Sequence, residues 1–153
     1  MMNYFLTLLA AILISVSIPW IVRYARRRKL HGRFNDGYLS GLAGLRTEDA
    51  LSVPIGLLLM DCAEPAAAFV VGYSAAAQNN LDHHEALRLF REVWKEQSCK
   101  KLGMTLTRHL LDVRNAPATD SLHENLRFKM LDESRTLVDQ RLTVSPRPTG
   151  SPA

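Results

Sequence analysis

From Tyr4 to Val22 the chain reads YFLTLLAAILISVSIPWIV, nineteen residues with no charge and only Thr7, Ser15 and Ser17 as polar positions. At about 1.5 Å per residue such a run makes roughly 28 Å of helix, close to the hydrocarbon thickness of a bilayer. The pattern predicts a transmembrane α-helix over residues 1–22, with Pro19 in its last turn. Tyr4 at one end and Trp20 and Tyr24 at the other fit the interfacial belt favoured by amphipathic rings.

Downstream the apolar positions recur at helical spacing and no long window alternates like a strand. HGRFNDGYLSGLAGL, with four glycines and an Asn-Asp-Gly turn signal, reads as a loop or broken connector. Ser52 is expected to cap a helix with Pro54 in its first turn. Glu64-Pro65 then opens an alanine-rich helix reaching about Gln78, with Asn79 and Asn80 as a stop. The region 53–78 is apolar enough to raise a second span. Asp61, Glu64 and Pro65 in its middle favour a buried hairpin instead, because a carboxylate at the bilayer centre costs about 2.5–3.5 kcal/mol.

LDHHEALRLFREVWKEQS is the clearest amphipathic helix, with Ala86, Leu87, Phe90, Val93 and Trp94 on one stripe and Asp82 and Glu85 at capping-box spacing. A further helix carries Leu102, Leu106, Leu110 and Val113, its start weakened by Gly103. After the break at Ala116-Pro117-Ala118, Ser121 and Glu124 predict a last helix to about Leu142, with Phe128, Leu131, Val138 and Leu142 at alternating three and four spacings, a face for packing on the domain or on a partner. Lys129 with Glu133 and Arg135 with Asp139 have pairing distance along it. The tail SPRPTGSPA has a disordered composition. The expected fold class is all-α: an N-terminal transmembrane anchor (1–22), a basic neck and Gly-rich connector (23–46), a small cytoplasmic helical domain (47–143) and a disordered tail (144–153).

Charge changes this picture in one respect. Arg23, Arg26, Arg27, Arg28, Lys29 and Arg33 hold six of the nineteen basic side chains, leaving thirteen basic against fifteen acidic residues from position 34 onward. The basic excess is confined to the neck, and the body is slightly acidic. A secretory leader would need a basic start, a shorter apolar core and a small-residue cleavage site. Met1-Met2-Asn3 carries no charge, so an uncleaved signal-anchor is expected. Basic residues after the span and none before it place the N-terminus outside and residues 23–153 in the cytoplasm, at the cell inner membrane.

The six neck cations would also contact anionic lipid headgroups. A nucleic-acid arm would need a basic surface on the following domain, which the acidic body does not offer, so no nucleic-acid partner is expected. Thr7, Ala11 and Ser15 form a small-residue row for possible helix pairing.

Candidate chemistry is sparse. Cys62 and Cys99 have neither a framework nor a metal-type spacing. His83 and His84 are neighbours pointing about 100° apart on a helix, so they share a metal poorly. Sketches using His109 and Asp112, or Asp120 and His123, match no ligand motif. His109 reads as a partly buried, hydrogen-bonded histidine. No nucleophile elbow and no phosphate-cradling glycine loop is present, and neither an enzyme nor a cofactor is expected.

The expected function is that of a membrane-anchored accessory or regulatory protein, inhibitory or immunity-like among the options, which binds an unknown protein partner. Phe90 and Trp94, or the outer face of the 121–142 helix, are the candidate surfaces. The alternative is a membrane-tethered enzyme or ligand-responsive domain with a pocket near His83, His84, Asp61 and Glu64.

Overall fold

The computed structural model describes the backbone of residues 2–95, 97–116 and 121–144, and the side chains of 4–95, 97–116 and 124–143. Pro117, Ala118, Asp120, the side chains of Ser121 and His123 and the tail 145–153 lie outside these residues. The protein is all-helical among them: α1 (Met2–Leu42), α2 (Thr47–Leu59), α3 (Ala63–Ala77), α4 (His83–Lys95), α5 (Ser98–Asn115) and α6 (Ser121–Val144).

α1 does not stop at the end of the apolar run. It continues through the neck and most of the expected connector as one helix about 60 Å long. Pro19 therefore sits inside a helix and not in its last turn. The run Tyr4–Val22 is exposed along its whole length, and the helix is long and apolar enough to cross a membrane. Within it the hydroxyls of Thr7, Ser15 and Ser17 donate to the carbonyls of Tyr4, Ala11 and Leu13, so each is satisfied by its own helix.

The glycines expected to break the chain after residue 31 do different jobs. Gly44 ends the helix: at φ +67 it lets Leu45 N–H reach the Ser40 carbonyl and its own N–H reach that of Gly41, a Schellman closure. Gly37 instead marks a contact. A Cβ there would lie 2.0 Å from the Phe69 carbonyl oxygen, and one at Gly72 would lie 2.0 Å from that of Phe34. Two backbones meet at these points with no room for side chains. Leu30, Phe34 and Tyr38 stand on the same face of α1 and are buried with them.

α3 is the hub. Every residue from Pro65 to Ala76 is buried, as expected of a helix apolar on all sides. Its alanines and Gly72 make it thin enough for the other helices to close around it. It runs parallel to α1, since Arg26 faces Glu64, Gly37 faces Phe69, and Gly41 faces Ala76. α2 is therefore the return leg, and it begins at Thr47, five residues before the expected Ser52 cap. The Ser52 hydroxyl donates to the Asp49 carbonyl, and Pro54 is an interior, buried position. α2 closes with Asp61 at φ 58, where Cys62 N–H reaches the Leu57 carbonyl.

α4 runs back along α1: His83 lies near Tyr38, Phe90 against His31 and Phe34, and Trp94 beside Arg26. Its capping box forms as expected, with Glu85 N–H donating to Asp82 Oδ1 at 2.7 Å. The buried stripe is Ala86, Leu89, Phe90 and Val93, while Leu87 and Trp94 are only half-buried. Gly103 of α5, expected to weaken that helix, is a third close approach, facing the backbone of Ala63. In α6 the buried row is Leu126, Met130, Ser134 and Val138. Of the spaced apolar face Val138 is buried, Leu131 and Leu142 are half-buried and Phe128 is exposed. Ser134 meets Ser74 of α3 at 2.5 Å in the core.

Candidate functional site

The basic neck and the C-terminal half of α4 enclose a wedge at the end of the domain nearest the apolar run. Trp20 and Tyr24, one turn apart on α1, stack with ring centroids 5.9 Å apart. Trp94 reaches the same level, lining a cleft of about 190 Å³ with Trp20, Arg23, Tyr24 and Arg27. A second cleft of about 260 Å³ opens where Arg23 and Arg26 face Lys95 and Lys100. A third, about 450 Å³, lies on the other side of α4, between Arg27, Arg28 and Arg91 over an apolar floor of Leu87 and Phe90.

Among the described residues Glu64 is the only carboxylate lining these three clefts. It is engaged by a two-pronged contact from Arg26, Nε to Oε2 at 2.9 Å and Nη2 to Oε1. The Arg26 guanidinium also sits 6.0 Å from the Trp94 ring centroid, within cation–π range. Arg26 thus ties α1, α3 and α4 together. No carboxylate among the described residues lies within ion-pair distance of Arg23, Arg27, Arg91 or Lys100. Among the described residues the lining of the wedge carries a net positive charge, with Lys95 paired to Glu92 at 3.7 Å.

The buried Cys99 thiol at the back of the second cleft is pushed up to about 12, chiefly by burial, with Glu64 adding and Arg26 opposing. It is neutral at any physiological pH. The Tyr38 phenol, which donates to the Leu81 carbonyl at 2.9 Å, is raised by burial and by Asp82 and Glu85.

The other expected site residues are dispersed. Tyr4 is exposed at the far end of α1. Lys29 faces the α2–α3 turn near Asp61, and Arg33 pairs with Asp36 at 3.6 Å. Thirteen residues beyond Trp20, Arg33 is about 20 Å further along the axis, which removes it from the level of the aromatic pair. Phe90, expected as a partner contact, is 2% exposed and belongs to the core. His83 and Glu64 line different clefts near opposite ends of α4, and His84 is exposed. The sketched pocket of His83, His84, Asp61 and Glu64 is therefore not assembled. His109 is partly buried and 3.3 Å from Glu133, which in turn is not found paired with Lys129. Arg135 and Asp139 do meet, at 3.8 Å. Among the described residues no three His, Cys, Asp or Glu side chains converge as metal ligands would.

Arg91, Lys95 and Lys100 were not singled out by the sequence pattern. They read as water-facing positions of separate helices, and only the antiparallel return of α4 along the neck brings them beside Arg23 and Arg27. No family model, curated protein or solved structure matches the chain.

Proposed function

We propose that the chain is a single-pass membrane protein whose helical domain, held on the cytoplasmic side, binds another protein as an accessory or regulatory part of a membrane-associated assembly. The observation that carries this reading is the continuity of α1, whose first half is bare and apolar while its last three turns are part of the domain core. With no hinge between anchor and domain, the height and tilt of the domain follow those of the span. A surface held this way meets a membrane-bound partner at high effective concentration, so a weak contact suffices.

Burial of Phe90 shifts the partner surface to the outer side of α5 and α6, where Met104, Leu111 and Phe128 are exposed. The cost of leaving a large ring in water at Phe128 is what a protein contact would recover. Carbonate extraction of native membranes tests the anchor, and release into the soluble fraction would sink it. External protease on spheroplasts should leave residues beyond Arg33 intact. A photo-cross-linking residue at position 128 in the full chain should give a discrete protein adduct, whereas one at exposed Glu48 should give none. Equal labelling from both positions, or none, counts against the surface.

A further inference from the structure

We infer that the wedge between the neck and the end of α4 is a binding site for the headgroups of anionic phospholipids, and that Trp94 docks the domain onto the bilayer surface beside the span. This rests on the reading of α1 as a membrane anchor, and goes beyond it by assigning a lipid class to a built site with residues from three helices.

The first support is depth. Trp94 lines the cleft that holds Trp20 and Tyr24, and interfacial aromatics mark the headgroup level of a span. The end of α4 therefore reaches the plane in which headgroups lie. The second is charge. Arg23 lines one cleft with Lys95 and Lys100, and Arg27 and Arg91 line another across α4; among the described residues Glu64 is the carboxylate lining these clefts and is held by Arg26, while Lys95 also pairs with Glu92 at 3.7 Å.

The third is that Lys100 is placed against local preference. Lys100 lies in the first turn of α5, which has no acidic residue to complement the positive end of the helix dipole. An anion seated between neck and α5 removes that conflict. The fourth is the apolar floor: Leu87 and Phe90 underlie the arginine-lined cleft, so it suits a group with a charged head and a hydrocarbon root better than a free ion. The α2–α3 turn adds exposed Leu59 and Met60 at the same end of the domain.

The chain has two tryptophans, so Trp20→Phe leaves Trp94 as the sole reporter. The full chain carrying this change, in nonionic detergent, is titrated with short-chain phosphatidylglycerol, short-chain phosphatidylcholine or inorganic phosphate. Trp94 emission should shift saturably with phosphatidylglycerol alone. The half-saturation concentration should rise at least fivefold when Lys95→Ala and Lys100→Ala are added, and should be unchanged in Arg33→Ala. A response of equal strength to phosphatidylcholine, to phosphate alone, or in the doubly substituted chain overturns the assignment.

Flotation of the same chain with neutral phosphatidylcholine vesicles separates the two readings. A chain that floats but shows no phosphatidylglycerol-specific response loses the headgroup site and keeps the anchor. A chain that fails to float loses both.

Discussion

Residues 4–22 of α1 present Leu, Ile, Val and Trp side chains outward on every face, whereas the last three turns of the same helix bury Leu30, Phe34 and Tyr38 against α3. Both halves are regular helix, but the first leaves its apolar side chains exposed while the second buries them within the domain. The first half is long and apolar enough to cross a membrane and leaves its side chains exposed on every face. The second narrows to glycine at positions 37 and 41 so that one particular helix can approach to backbone contact. The two halves differ in what each leaves on its surface, bulk on the first and a groove on the second. The neck between them is where the two environments meet, and there the exposed basic residues collect.

The comparison breaks most severely at the groove. Gly37→Ala places a Cβ 2.0 Å from the Phe69 carbonyl oxygen, a clash that only backbone displacement relieves. It should cost about 3 kcal/mol or more, above ordinary overpacking. Gly32→Ala, in the same helix with nothing within 4 Å, should instead stabilise by about 0.5–1 kcal/mol. Thermal unfolding of both full-length variants by circular dichroism in detergent reads the contrast, and a tolerant Gly37→Ala would show that the helices are not in backbone contact.

The bare half responds to a different change. Leu13→Arg should cost about 2.5–3.5 kcal/mol of insertion free energy and move the chain toward the carbonate-soluble fraction, while the unfolding transition of the domain stays put. If the domain melts with it, the two halves are not independent.

Within the core, the Ser134 hydroxyl donates to the Leu131 carbonyl and accepts from Ser74, so Ser134→Ala leaves the buried Ser74 hydroxyl without its partner and should cost about 1–2 kcal/mol, with Ser74→Ala and Ser134→Ala together costing less than the sum of the two singles. The alkaline limb is set by Cys99. Its folded-state value lies above that of the unfolded thiol, so its contribution is complete below about pH 8.5 and is lost as pH rises towards about 12. A denaturant series at increasing pH should show this decline, reduced in Cys99→Ala. Smallest is the tie at the neck: Glu64→Gln breaks a half-exposed ion pair and should cost about 0.5 kcal/mol.

Much of this was legible in the residues. The apolar run, the all-helical class, the alanine-rich helix, the Asp82–Glu85 cap and the partly buried His109 follow from local period and side-chain chemistry, which act over a turn or two of chain. The misreadings share one cause. Gly37, Gly41 and Gly103 have the composition of a turn, yet each marks where a second helix arrives from far along the sequence. Phe90, a candidate partner contact, lies in the core and Phe128 is exposed, because a stripe read along one helix does not say which of its edges the neighbours cover.

The same holds for the candidate site. The six neck cations lie close enough together to be seen in the sequence, directly after the apolar run. Arg91, Lys95 and Trp94 join them only because α4 returns antiparallel along α1, and Lys100 because α5 follows directly on that return. Sequence alone determined the span, the helices and the charged neck, since each depends on residues close together in the chain. Only the tertiary structure decided that anchor and core are one helix, because that depends on a backbone contact between residues thirty-two positions apart, Gly37 and Phe69.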